Sequence, residues 1–191
     1  MTMNYVMTSL IAATVTIIVT MWKENVDAKQ RHIAYLYSIL AEVNALLAMI
    51  RVREKEFEIQ DINDTKNYEF VYFPVSYNYF NVYEGTASQI GLIKNAELRE
   101  RIICSYADTK GLLENVKDIE KLSKMYELVT LLKNNSVDKD RLVKIHYWYC
   151  KHTLENQVPM VKRVLVELRE ELKNEIYKRS NKFRLYIWDS N

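Results

Sequence analysis

Residues 5–22 read YVMTSLIAATVTIIVTMW, and no residue from Met1 to Trp22 carries a charge. At about 1.5 Å per residue, roughly 20 helical residues cross a hydrocarbon core of about 30 Å. The run has that length and polarity, and Tyr5 and Trp22 stand where interfacial aromatics belong. A cleaved signal peptide has a basic leading region, a shorter apolar stretch and a small-residue exit. Here no Lys or Arg precedes the run and Lys23 and Glu24 follow it directly, so it reads as a retained anchor. Lys23, Lys29 and Arg31 lie just after it. The positive-inside rule then predicts a single-pass protein of the inner (plasma) membrane, amino terminus outside and bulk in the cytoplasm. Within the run, Thr8, Ala12, Thr16 and Thr20 recur every four residues. Such a stripe lets helices approach closely in lipid and suits a self-associating anchor or a pore lining. It is also ordinary membrane-helix composition, with hydroxyls bonding to their own backbone.

Outward from this run the pattern stays helical. Ile33, Leu36, Leu40, Val43, Leu47 and Ile50 recur at spacings of 3 and 4, widened by Ile39 and Leu46. No Gly or Pro interrupts 23–53, which predicts one rod continuing the membrane helix for about 45 Å. The stripe reads as the core face of a bundle in preference to a coiled-coil seam. Residues 54–67 are polar and aperiodic and read as a loop or a short turn of helix. The aromatic block 68–83 (YEFVYFPVSYNYFNVY) reads as core packing with hydrogen-bonded tyrosines, with a short extended piece around Glu69–Phe73. Helical patterning resumes from Tyr77 to Ile93 with Gly85 as a weak point. Asn95 then N-caps a long helix through Leu98, Ile102, Tyr106, Leu113, Val116 and Ile119 toward Leu132, weakened at Gly111. Residues 134–140 (NNSVDKD) read as a break. A last helix from about Asp140 is expected to kink or restart at Pro159, followed by Val161, Leu165, Leu168, Leu172 and Ile176 on one stripe.

The fold class is therefore all-α: a transmembrane helix over 1–22 and a cytoplasmic helical domain over 23–191, a bundle of four or five helices. Composition agrees. With 3 Gly and 2 Pro in 191 residues, a turn-dense β-sandwich, a collagen-like chain and a Pro/Gly-rich disordered chain are excluded. Net charge is +2, but residues 141–191 hold 11 Lys and Arg against 6 Asp and Glu, a mild hint of an anionic partner. Cys104 and Cys150 are too few for a disulfide framework and show no zinc spacing, which fits a reducing compartment.

Chemistry-bearing patterns are sparse. His146 and His152 are six apart, about 120° around a helix, so no shared metal is expected. There is no Gly-rich phosphate loop, GxSxG elbow or dinucleotide fingerprint, and no cofactor is expected. One constellation remains, Arg141-Leu-Val-Lys-Ile-His146. An imidazole can move the proton of a ribose 2′-hydroxyl or of a leaving oxygen, and a guanidinium can stabilise a charged phosphorane. The five-residue spacing sets the two side chains about 140° apart on an ideal helix, so one copy makes a poor site. The structural alternative is Arg141 paired with Asp138 and His146 packed with Tyr149 and Cys150.

This R-x4-H element within a helical chain resembles the HEPN superfamily, many of whose members are ribonucleases that join two copies of the motif. Leu142 stands where active members usually carry a polar residue, often Asn. Together with the short membrane helix and helical domain, the layout resembles the small membrane accessory proteins of type VI-B CRISPR systems, which work with an RNA-guided, RNA-cleaving effector. The resemblance implies a homo-oligomeric ring in the inner membrane, a pore that strengthens antiphage defence, with the divergent element shaping assembly or gating more than cutting RNA. A membrane-tethered HEPN ribonuclease using Arg141 and His146, and a plain membrane-anchored scaffold, are the competing expectations.

Overall fold

In the computed structural model, which describes residues 2–56, 80–131 and 136–188, every regular element is a helix. The uninterrupted run without Gly or Pro forms α1 (Thr2–Glu56), 55 residues and so about 82 Å long. It passes the expected boundary at residues 22 and 23 with no break and ends three residues beyond the predicted rod. The expected loop over 57–67, the extended piece around Glu69–Phe73 and the aromatic block as far as Tyr79 lie outside the described residues.

Two short helices follow, α2 (Asn81–Gly85) and α3 (Ala87–Ile90), and α2 stops at the glycine expected to be weak. α4 (Ala96–Leu131) starts as the sequence predicts. The Leu98 N–H donates to Asn95 Oδ1 at 3.2 Å, so the asparagine satisfies one of the orphan donors of the first turn. α5 (Ser136–His152) starts four residues before the predicted Asp140. Ser136 and Asp138 are residue types that a first helical turn favours, so a segment expected to break the chain instead begins a helix.

The expected interruption at Pro159 takes the form of one widened turn. Residues Thr153–Gln157 are π-helical, with the Val158 N–H donating to the Thr153 carbonyl, and α6 (Val158–Trp188) continues directly. Proline has no N–H, and in a straight α-helix its ring crowds the carbonyl four residues back. A turn closed five residues apart relieves that crowding and lets the helix go on. The Asn115 side chain donates to Gln157 at 2.8 Å and ties this turn to α4.

The core lies where α1, α4 and α6 meet. Leu36, Ile39, Val43, Leu46, Leu47 and Ile50 of α1 pack against Val161, Leu165, Leu168, Leu172 and Ile176 of α6 and Leu98, Ile102 and Tyr106 of α4, all buried. Both predicted stripes thus face a partner within the same chain, with Ile33 and Leu40 half-buried at the edges. α5 packs on α4 around a smaller cluster of Ile119, Cys150 and Tyr149. Ion pairs join the outer edges: Lys162 to Glu54 at 2.6 Å, and Arg101 to Glu167 and Glu171 at 3.2 and 3.1 Å. They are largely solvent-exposed and contribute about 1 kcal/mol or less each.

Candidate functional site

Burial divides α1 in two. From His32 to Ile50 it buries a face, whereas every residue from Ala13 to Asn25 is exposed. Val15, Ile17, Ile18, Val19, Met21 and Trp22 are each 53 to 65% exposed, and at 100° per residue they cover an arc of about 200°, with Ala13, Thr16 and Thr20 on the remaining side. Within Ala13–Val52, α1 is by length and composition apolar enough to cross a membrane: an 18-residue window reaches a mean hydropathy of 1.8, with 39% of it buried inside the protein. Thr16 and Thr20 lie in the uncovered part, one turn apart and exposed; Thr8 and Ala12 belong to α1 ahead of Ala13, the first residue whose side chain is described.

The other sequence-derived element is the Arg141/His146 pair on α5. The structure does not bring the two together within the chain. Arg141 is exposed, and His146 is fully buried against α4, as the 140° offset dictates. The imidazole Nε2 lies 3.1 Å from Ser123 Oγ, which itself donates to the Ile119 carbonyl at 3.1 Å. Cys150 Sγ lies 3.6 Å from Nδ1. One proton arrangement satisfies all of these contacts: Nε2–H donates to Ser123, and the Cys150 thiol donates weakly to Nδ1. Burial lowers the His146 pKa to about 4 and raises that of Cys150 to about 12. Both are therefore neutral near pH 7, and a thiol held protonated is inert as a nucleophile. A neutral imidazole shut between α4 and α5 cannot reach a phosphodiester; in this arrangement His146 acts as a packing residue with its polar atoms matched. His152, three turns from Arg141, stacks on the exposed Trp148 with ring centres 5.3 Å apart.

Sequence reasoning missed Glu42. This carboxylate is buried in the middle of the α1 stripe and accepts three hydrogen bonds. The backbone N–H groups of Val82 and Tyr83 donate at 2.8 and 3.1 Å, and the Tyr106 hydroxyl donates at 2.5 Å. Burial, and then the bond to Glu42, hold the Tyr106 hydroxyl far above its ordinary titration range. Tyr83 stacks on Tyr106 with ring centres 4.1 Å apart. Glu42 therefore pins α2 onto α1 and α4. The signal available beforehand was a lone acid flanked by apolar residues at core spacing, Leu40-Ala-Glu42-Val43. Among the described residues, no three His, Cys, Asp or Glu side chains converge as a metal site would need. Comparison of the chain with protein-family models, with curated proteins and with solved structures gives no match.

Proposed function

We propose that the chain is a membrane-anchored helical protein that assembles laterally through its amino-terminal segment and permeabilises the bilayer. The observation that carries the reading is the uncovered apolar length of α1 from Ala13 to Trp22. Large apolar side chains spread over more than half of a helix's circumference require cover across that arc, in a core or in lipid. Each large apolar side chain left in water forgoes about 1.5–3 kcal/mol, so six in ten residues constitute a strong demand for cover. Lipid meets it without any partner. In this reading Lys23, Lys29 and Arg31 hold the bundle in the cytoplasm, and Thr8, Ala12, Thr16 and Thr20 face neighbouring copies. Outside the membrane, Met125, Leu128 and Leu131 at the end of α4 and Trp148 on α5 are exposed and available for contact between bundles.

The cellular setting we propose is antiphage defence beside an RNA-guided, RNA-cleaving effector. It rests on the layout and on the Arg141/His146 resemblance. The burial of His146 favours a structural role for that element over ribonuclease chemistry. The test is biochemical. The full chain is expected in the carbonate-washed membrane pellet, as a high-order oligomer in detergent, and to release dye from liposomes. A chain found in the soluble supernatant, or a membrane-bound monomer that releases no dye, overturns the reading. The setting is tested separately by phage plating with and without co-expression of an RNA-targeting effector.

A further inference from the structure

The packing of α6 on α1 stops well before α6 does. Among the described side chains, Ile176 is the last buried one on α6 and His32 is the first on α1. The two helices run antiparallel. Lys162 pairs with Glu54 at one end, and Glu175 and Arg179 lie within electrostatic reach of the His32 ring at the other. From that second end both helices continue out of the bundle in the same direction. α6 runs from Ile176 on to Trp188, about 18 Å, and α1 runs from His32 back to Trp22, about 15 Å. α6 therefore ends close to the level of Trp22, where the apolar run of α1 meets the bundle side. At the start of this overhang Tyr177 is 67% exposed and Lys178 is exposed, so no described residue covers α6 there.

The sequence of the overhang selects what meets it. Residues 176–188 read IYKRSNKFRLYIW, with Lys178, Arg179, Lys182 and Arg184 and no acid. Of the four cations, Arg179 is engaged by Glu175 at 2.6 Å. The cations come first and Leu185, Tyr186, Ile187 and Trp188 follow, so the apolar and aromatic residues stand farthest from the bundle. α1 has the same order in mirror image: its apolar run closes on Trp22, and Lys23, Lys29 and Arg31 lie between that residue and the core. Trp and Tyr are enriched at the headgroup level of a membrane, and Lys and Arg on its cytoplasmic side. Clusters of cations in that position attract anionic lipids. We propose that the end of α6, from Lys178 to Trp188, is a second membrane contact, with its cations among anionic lipid headgroups and its aromatic end in the interfacial layer. This rests on the membrane reading of α1 given above.

The test uses the full chain in nanodiscs and its own tryptophans. A chain with Trp22→Phe and Trp148→Phe reports from Trp188 alone, and one with Trp148→Phe and Trp188→Phe reports from Trp22 alone. Trp22 and Trp148 are exposed and phenylalanine keeps an aromatic ring, so the bundle is expected to fold in both. The discs hold phosphatidylcholine brominated in its acyl chains just below the headgroup, with or without phosphatidylglycerol. Trp188 is expected to lose emission to the brominated lipid, and to lose more in the phosphatidylglycerol discs. Lys178→Gln, Lys182→Gln and Arg184→Gln together spare the Arg179–Glu175 pair and are expected to return the loss to that seen without phosphatidylglycerol. Quenching of Trp22 but not of Trp188 means that α1 is in the bilayer and α6 stands clear of it, which overturns this proposal alone. Shielding of Trp188 from aqueous iodide without quenching by the lipid does the same, because another protein surface then covers it. Quenching of Trp188 that is equal in both discs, and kept in full by the triple variant, overturns the role of the headgroups. Quenching of neither tryptophan overturns the membrane reading itself and this proposal with it.

Discussion

Ala13–Trp22 and Ile33–Ile50 are two apolar stretches of the same helix, and only one of them is covered. Ile33–Ile50 carries its apolar residues on a stripe and turns Tyr37, Ser38, Asn44 and Ala45 away from it, and α4 and α6 fill that stripe. Ala13–Trp22 has large apolar side chains over an arc of about 200°, with Thr16 and Thr20 on the remaining side, and nothing from the described residues over any of them. Apolar content alone does not separate the two. The width of the apolar face and the residues opposite it do: the covered stretch sets polar residues, Ser38 and Asn44 among them, against its stripe, whereas the bare one sets only Thr and Ala against an apolar arc of about 200° and carries no charge. Even the acid inside the covered stretch fits, because Glu42 finds three donors there, whereas a carboxylate in the middle of a lipid-exposed helix finds none.

The sharpest way to break this contrast is to make matching truncations in the two stretches. Leu46→Ala removes a fully buried side chain from the three-helix core and is expected to cost about 2–5 kcal/mol, read by denaturation in detergent followed by helical circular dichroism. Ile17→Ala, at a position 59% exposed, is expected to change the same transition by less than about 0.5 kcal/mol. Equal effects would show that the bare stretch is a core element after all. The converse substitution is Val15→Arg, near the middle of residues 5–22, which is expected to leave the bundle transition unmoved and shift the chain from the membrane pellet toward the supernatant. An arginine at mid-membrane costs about 2.5–3.5 kcal/mol on insertion scales.

Acid separates the stretches in a second way. The folded His146 has a pKa of about 4, below its ordinary 6.5, so between those values the unfolded chain binds the extra proton. Stability therefore rises with pH across this window and is lost as pH falls from about 6.5 toward 4, by an amount on the order of 3 kcal/mol. The bundle is expected to loosen over this range while membrane association, which involves no titrating group in Ala13–Trp22, persists. His146→Gln should flatten the slope; a slope unchanged in that variant would assign the acid sensitivity elsewhere. A smaller loss, about 1–3 kcal/mol, is expected for Glu42→Gln, because the amide replaces one accepting oxygen with a donor facing donors. The readout is faster amide exchange confined to Val82 and Tyr83.

Much of the bundle was legible because it rests on local rules. The α1 and α6 stripes, the Asn95 cap and the weak point at Gly85 each follow from side-chain spacing or a backbone preference within a few residues, although the helical run expected from Tyr77 to Ile93 is divided at Gly85 into α2 and α3. The start of α5 was misjudged because Asn, Ser and Asp favour both breaks and helix beginnings, and the choice depends on what the following turn packs against. The candidate site was less legible. The 140° offset already separated Arg141 from His146, but which of them faced inward depended on Ser123, 23 residues away in α4. The role of Glu42 was invisible for the same reason: its partners come from residues 82, 83 and 106, so no window of sequence contains them.

The smallest expected effect refines the contrast from the side of the bundle. Gly111 sits in the middle of α4, and a Cβ built there meets nothing within 4 Å. Glycine in a helix interior costs about 1 kcal/mol relative to alanine, through the backbone freedom it has in the unfolded chain. Gly111→Ala should recover about that amount, raising the thermal midpoint by about 2–4 °C for a domain of this size. Because the gain arises in the unfolded state of the packed helices, the membrane-associated fraction should not change. A midpoint that falls instead would mean that the open space beside Gly111 is occupied in the working protein, and the neighbouring copies of the assembly proposed above are the first place to look for what fills it.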